Sequence, residues 1–172
     1  MCAAHAGPDV LVVDHAKSPG EKIRISGGGR CNFTNLGCDP EAFLSNNAHF
    51  AKSALSRYTQ WDFIALVDAY GIAWHEKTLG QLFCDGSSKE IIAMLVSELE
   101  KAGATLWCKT EIGDVVWRDG VFHVGLVRDG EPARVKAKSL VLATGGKSIP
   151  KMGATGLAYR LAEQFGLDVT ET

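Results

Sequence analysis

Lys22-Ile23-Arg24-Ile25-Ser26-Gly27-Gly28-Gly29-Arg30-Cys31-Asn32-Phe33-Thr34-Asn35 is the stretch on which the reading of this chain turns. Three successive glycines let the backbone take φ > 0 and come within van der Waals reach of a ligand, which a side chain forbids. Their amide N–H groups can form an anion-binding concavity, and Arg30 sets a fixed positive charge beside it. Asn32 adds an amide that both donates and accepts, as needed to read the edge of a heterocycle. Three glycines alone fit a flexible surface loop. Bracketed by Ser26, Arg30, Cys31 and Asn32, they point to a cofactor loop.

Upstream, Val10-Leu11-Val12-Val13-Asp14 has the apolar, β-branched character of a buried parallel strand and ends in a carboxylate. Cys2–Ala6 followed by Gly7 reads as the last turn of a helix with a glycine stop. In a dinucleotide-binding βαβ unit such a strand is the second, and the acid at its end holds the adenosine ribose. The first strand and its glycine-rich turn are then expected before Met1.

Downstream, Asp39-Pro40-Glu41 predicts a helix start. Thr59 and Asp62 resemble a capping box for a helix from about Gln60, with Phe63, Leu66, Val67 and Tyr70 on one face and Gly71 as its stop. Ser87 and Glu90 form a cleaner box for a third helix, with Ile92, Leu95, Val96 and Leu99 as its apolar face and Gly103 as its stop. From Thr105 the period becomes two. Strands are predicted at about 105–109, 112–117, 121–128 and 133–137, with turns at Asp119-Gly120 and Asp129-Gly130, which makes a β-meander. Ser139-Leu140-Val141-Leu142-Ala143-Thr144-Gly145-Gly146 reads as a further apolar strand ending in a small-residue turn. A last helix, about 156–165, carries Leu157, Leu161 and Phe165 and closes at Gly166. This order predicts an α/β, Rossmann-like nucleotide-binding domain over residues 1–172.

Composition narrows the function classes. With 18 Lys and Arg against 20 Asp and Glu, the formal charge of −2 argues against a dedicated nucleic-acid binder. No apolar run approaches the ~20 residues that cross a bilayer, and the N-terminus lacks the features of a signal peptide, so no membrane partner is expected. The five cysteines (2, 31, 38, 84 and 108) form no C-x-x-C pair, which fits reduced thiols in a cytoplasmic protein. Cys31, Cys38 and His49 match no zinc spacing, and no metal is expected. Gly145-Gly146-Lys147-Ser148 imitates the end of a P-loop, but position 141 is valine where that motif needs glycine. Cys31 is better read as a small packed side chain than as a redox group. The sequence alone supplies no partner for His15 or His75.

The run Lys22–Asn35 resembles the signature of the aminoacetone oxidase family of FAD-binding enzymes, which also takes in flavoproteins described as bile-acid dehydro-reductase-like. Leu142-Ala143-Thr144-Gly145-Gly146-Lys147-Ser148-Ile149-Pro150, continuing to Gly153-Ala154-Thr155-Gly156, resembles the family's second landmark. The resemblance implies an FAD/NAD(P)-binding domain of the glutathione-reductase type, here truncated. The first strand and G-x-G-x-x-G turn, an inserted substrate-side domain and a C-terminal FAD segment are all expected to lie outside the chain. It implies that Asp14 meets the adenosine ribose, although glutamate is commoner there. Lys22, Ser26, Gly27, Gly28, Gly29, Arg30, Cys31 and Asn32 would line the pyrophosphate, ribityl and flavin portions. The backbone near Ile112 would meet adenine, and Thr144, Gly145 and Gly146 would pass close to the dinucleotide.

The activity implied is hydride transfer between flavin and NAD(P)H or a small amine or alkene substrate, with no catalytic acid or base assigned. A tRNA-modifying flavoprotein shares the general fold, but the near-neutral charge and the Cys-Asn ending of the glycine loop weigh against it. Two other readings stay open: a non-catalytic nucleotide-binding fragment completed by a complementary chain, and an inactive remnant with an exposed sheet edge.

Overall fold

The computed structural model describes residues 1–146 and 156–171. It divides into two compact units, Met1–Val12 with Ser18–Leu106, and Val13–Lys17 with Trp107–Thr172. The elements in order are α1 (Cys2–Ala6), β1 (Leu11–Val13), α2 (Glu21–Ile25), β2 (Asn32–Asn35), α3 (Lys52–Arg57), α4 (Gln60–Ala69), β3 (Trp74–Glu76), β4 (Gln81–Cys84), α5 (Ser88–Lys101), β5 (Thr105–Trp107), β6 (Thr110–Arg118), β7 (Val121–Arg128), β8 (Glu131–Ala137) and α6 (Leu157–Gln164). Strands β1 and β5 pair. Thr105 N–H donates to Val10 O (2.8 Å) and Asp14 N–H to Trp107 O (2.9 Å), so residue numbers rise together and the pair is parallel. No helix among the described residues is long and apolar enough to cross a membrane.

The first unit is built on an antiparallel sheet of order β2-β4-β3. The sequence reading missed it, because these strands are three or four residues long and show no two-residue period. Leu82 and Cys84 of β4 are fully buried. The core joins Cys31, Val67, Ile72, Cys84, Ile91 and Met94, with Ile23, Phe33, Phe63 and Trp74 packed against it. Helix α5 buries Ile91, Ile92 and Met94, a face rotated from the predicted one because it is covered on two sides. Gly20 lies so close to α5 that a Cβ there would stand 2.9 Å from Ile92 Cγ1. Buried Ser88 donates from Oγ to Arg24 O (2.9 Å) and fixes the end of α2, where the glycine turn begins.

Helix ends follow local chemistry. The Thr59–Asp62 box is complete, with Thr59 N–H and Oγ–H both donating to Asp62 Oδ2 (2.7 Å each) and Asp62 N–H returning to Thr59 Oγ1 (3.2 Å). Ser87 instead accepts from Lys89 N–H (3.3 Å), and Glu90 Oε1 sits against Gly86, so the second predicted box does not form. Asp39-Pro40-Glu41 starts only one 3₁₀ turn, Pro40–Ala42.

In the second unit, β6, β7 and β8 form the meander. Both of its turns have the two positive φ values of a type I′ hairpin: 54° and 76° at Asp119-Gly120, 50° and 87° at Asp129-Gly130. One face buries Val115, Val124 and Leu126. Helix α6 holds to this unit through Gln164 Nε2, which donates to Val115 O (2.6 Å), and through a Phe122–Phe165 ring contact at 5.7 Å. The predicted strand at 105–109 ends at Trp107 and pairs with β1 instead of joining the meander. The predicted strand at 139–146 is absent: Val141 is 66% exposed, and among the described residues no strand lies beside it to complete a ladder. The landmark residues 147–155 lie outside the described residues.

Hydrogen bonds from Thr59 hold the Asp62 carboxyl below the usual carboxylate range, and those from Tyr70 and Lys101 do the same for Glu98. A depressed carboxyl stabilises the fold above its unfolded value, about 3.9 for Asp and 4.3 for Glu, and this contribution is lost as pH falls through the folded value. An Asp62→Asn, Glu98→Gln double variant should melt lower than the native chain at neutral pH. Its melting temperature should also fall less steeply below pH ~4, measured by circular dichroism.

Candidate functional site

Residues Ser26–Gly29 close into a tight turn immediately after α2. Gly27, Gly28 and Gly29 have φ of 58°, 67° and 88°, and Cys31 follows at 52°. Cys31 N–H donates to Ser26 O (3.0 Å), and Cys84 N–H donates to Arg30 O (2.9 Å), tying the turn to β4. Gly27 is required by contact as well as by φ: a Cβ there would stand 2.5 Å from Phe83 Cε1. Gly28 differs. Among the described residues nothing lies within 4 Å of where its Cβ would be, and Gly29 meets only Arg24 O at 4.0 Å. Two glycines thus present bare backbone to open space.

Beside the turn is a hollow of about 280 Å³. Lys22, Ser26 and Asn32 supply its polar groups, and Ile23, Phe33, Phe63, Ile91, Leu95 and Cys31 the remaining wall. Four of the predicted residues therefore share one concavity. With its amide nitrogen turned inward, Asn32 donates to Thr34 O (3.1 Å) and Leu82 O (3.2 Å). Both amide hydrogens are then engaged, so Asn32 is equipped to accept, not to donate and accept at once. Burial pushes the Cys31 thiol up, partly offset by its bond with Ser26, and Cys84 is pushed up to about 11 by burial and by Cys31. Both remain thiols at neutral pH, in keeping with a packing role for Cys31.

The second unit carries Asp14, Ile112, Thr144, Gly145 and Gly146. Asp14 follows β1 directly, and its Oδ1 accepts from Ala16 N–H (2.9 Å) and faces His15 Nδ1 at 3.6 Å. Thr110 N–H donates to Asp14 O (3.1 Å), which sets the start of β6 beside the carboxylate, with Ile112 two residues further along. Thr144 and Gly145 are exposed, with Thr144 Oγ1 donating to Gly145 O at 3.4 Å. Gly146 faces the Tyr159 hydroxyl, 2.7 Å from where a Cβ would stand.

The sequence reading missed one constellation. His75 Nδ1 lies 2.6 Å from Asp85 Oδ1, and the imidazole stacks on Phe83 with ring centroids 6.3 Å apart. Lys77 Nζ stands 5.2 Å from the same ring. His75 and Asp85 are ten residues apart, and only the register of β3 on β4 reveals the pair.

Gly27→Ala should weaken the first unit more than Gly28→Ala. Both carry the left-handed penalty of about 1–2 kcal/mol, and only the first also displaces Phe83. Urea unfolding of the two variants checks this order.

Comparison with known proteins agrees with this architecture. The family model described as HI0933-like protein Rossmann domain matches residues 1–172. A ribosomal RNA dihydrouridine synthase of Escherichia coli is 54% identical over 170 residues, covering 99% of this chain and 42% of that protein. Its namesake in Haemophilus influenzae is 48% identical over 172 residues, covering 98% and 43%. A 3-dehydro-bile acid delta(4,6)-reductase of Clostridium scindens is 24% identical over 170 residues, covering 96% and 40%. The chain thus spans less than half the length of these relatives. None of the three bears the aminoacetone oxidase name; the third bears the bile-acid name within the same resemblance. Among solved structures, THI4 of Thermovibrio ammonificans superposes with a TM-score of 0.52 at 16% identity, covering 96% of this chain and 57% of that one, a likeness of fold. The chain belongs to the HI0933-like family of Rossmann-domain proteins.

Proposed function

We propose that this chain is the FAD-holding portion of a flavoprotein that reduces the C5=C6 bond of uridine in ribosomal RNA, with NAD(P)H as the source of electrons. The glycine turn carries the cofactor part of this reading. Gly28 and Gly29 adopt left-handed φ and open onto space, an arrangement that the protein's own packing does not demand and that a closely approaching phosphate or ribityl chain does. The substrate part is supported by the 54% and 48% identity to proteins named for dihydrouridine synthesis in ribosomal RNA. It departs from the expectation of a small-molecule substrate, which came from the family resemblance, and of no nucleic acid, which rested on whole-chain charge and the Cys-Asn ending of the glycine loop.

The chemistry is coherent across the relatives' names. Uracil C5=C6 is conjugated with the C4 carbonyl, and a 3-dehydro bile acid with delta(4,6) unsaturation is likewise a conjugated ketone. In uridine, hydride adds at C6, the carbon β to the C4 carbonyl, and a proton follows at C5; the bile-acid ketone is activated for conjugate addition in the same sense. Uridine, NAD(P)H and one proton give dihydrouridine and NAD(P)⁺. When bound, FAD supplies the relay that accepts hydride from one partner and delivers it to the other.

In this reading the amides of Gly27–Gly29 and the Arg30 guanidinium hold the phosphates, with Lys22 and Ser26 at the rim of the hollow. Asn32 Oδ1 accepts from a ring N–H. Asp14 takes the ribose hydroxyls, the backbone near Ile112 the adenine, and Thr144–Gly146 run alongside. The residue with proton-transfer chemistry next to the turn is His75, which Asp85 holds in one orientation.

The purified chain, incubated with FAD and desalted, should retain flavin absorbance with quenched fluorescence, and Gly28→Trp should abolish retention without lowering helix content. A native chain that keeps no flavin overturns the assignment for this chain. The RNA step has its own measurement: ribosomal RNA lacking the modification should gain two hydrogens at a uridine by mass spectrometry when treated with the protein extended to the relatives' length, FAD and NADPH.

A further inference from the structure

We propose that the outward face of the β6–β7–β8 meander is where this protein grips the phosphate backbone of its RNA, through Arg134, Lys136 and Lys138. The proposal rests on the ribosomal RNA reading above and assigns it a surface.

Register defines the face. Val116 lies opposite His123, and His123 opposite Lys136; in the next rung Gly125 lies opposite Arg134. Directly opposed residues project from the same side of a sheet. The other side buries Val115, Val124 and Leu126 and receives α6. The outward side is open among the described residues: Arg134 and Lys136 are exposed, as is Glu111 opposite Val127, and Val116 and Val127 are 45% and 40% exposed; Lys138, just past the strand, is exposed too. Alternate residues of an extended strand are about 6.6–6.8 Å apart, which sets the spacing of Arg134 and Lys136, and Lys138 follows at the bend just past β8.

Two observations separate this row from ordinary surface charge. First, among the described residues none of its cations has a carboxylate within 4.0 Å, whereas Arg118 at the end of β6 (3.4 Å from Asp119) and Lys109 just before β6 (3.9 Å from Asp129) do. Second, a hollow of about 390 Å³ lies beside it, lined by Gly113, Asp114, Gly125, Val127, Pro132 and Arg134. Its one acidic lining residue, Asp114, is folded over Gly125 at the bulge between Ile112 and Val115. Unpaired cations beside a recess match an extended polyanion. The whole-chain charge of −2 conceals this, because Glu131-Pro132-Ala133-Arg134-Val135-Lys136-Ala137-Lys138 carries three cations and one anion. Lysines on an edge strand also guard against edge-to-edge aggregation, which would explain the charges but not the recess.

The test is fluorescence anisotropy of a fluorescein-labelled ribosomal RNA transcript against the full chain over a range of KCl. For the triple variant Arg134→Gln, Lys136→Gln, Lys138→Gln we expect binding weaker by at least about tenfold at low salt. The slope of log K against log salt should flatten by about 2–3, as for three lost phosphate contacts. Lys89→Gln, on the exposed start of α5, should match the native chain. Should the triple variant fail to fold by circular dichroism, Lys136→Gln alone should flatten the slope by about 0.7–0.9. Native binding with an unchanged slope in the variants overturns this face and leaves the RNA reading standing; unchanged binding with increased aggregation assigns the row to edge protection and equally overturns it. A native chain that binds no RNA at low salt overturns both, while flavin retention continues to report on the cofactor assignment alone.

Discussion

The ring of Phe83 fills the space that a side chain on Gly27 would need, and the first unit is organised around that contact. It joins a local feature, a turn of left-handed residues, to a long-range one, the middle strand of a three-stranded sheet. Asn32 is in register with Phe83, and Cys84 N–H reaches Arg30 O, so the strand that carries the ring also fixes both ends of Arg30-Cys31-Asn32. Beneath it, Leu82 and Cys84 anchor β4 in the core; beyond it, His75 stacks and is held by Asp85. The glycine turn is therefore a rigid feature with one glycine facing protein and two facing space. A flexible loop would be a poor cradle, because ordering it on binding would cost about 1–2 kcal/mol per residue.

What could be read from the sequence was what neighbouring residues decide among themselves. The positive φ of all three glycines, the Thr59–Asp62 box, the glycine stops at Gly71, Gly103 and Gly166, and the two Asp-Gly hairpins depend on a few adjacent residues. What could not be read depends on partners distant in the chain. Strand β2 pairs with a segment some fifty positions later, and nothing in Asn32-Phe33-Thr34-Asn35 announces it. The converse error arose at Ser139–Gly146: its composition suits a strand, but a strand exists only where a neighbour completes its ladder. Ser87 and Glu90 show the same limit at short range, since the acid's preference for Gly86 could be decided only in three dimensions.

The candidate site was legible to a similar depth. Lys22, Ser26, Cys31 and Asn32 surround one hollow as their spacing in a single motif suggested, and Asp14 stands at the end of β1 beside the start of β6. The role of Asn32 was not legible, because its amide hydrogens are taken by Thr34 and Leu82 and only the fold shows this. Net charge is a coarser guide than position. A net value averages over the surface, whereas a strand sorts alternate side chains to opposite faces, so one row of cations can coexist with an acidic total.

Cys31 and Cys84 sit together in the core with their thiols held protonated by burial. Thiolates, far more than thiols, attack peroxide and disulfides, and a flavin that leaks electrons to oxygen makes peroxide at its own doorstep. Two sulfurs this close to the glycine turn would be an oxidative liability if either ionised readily. Withholding the thiolate makes them chemically quiet filler, so the turn keeps compact, polarizable packing beneath it without a target for self-inflicted damage beside the proposed cofactor cradle.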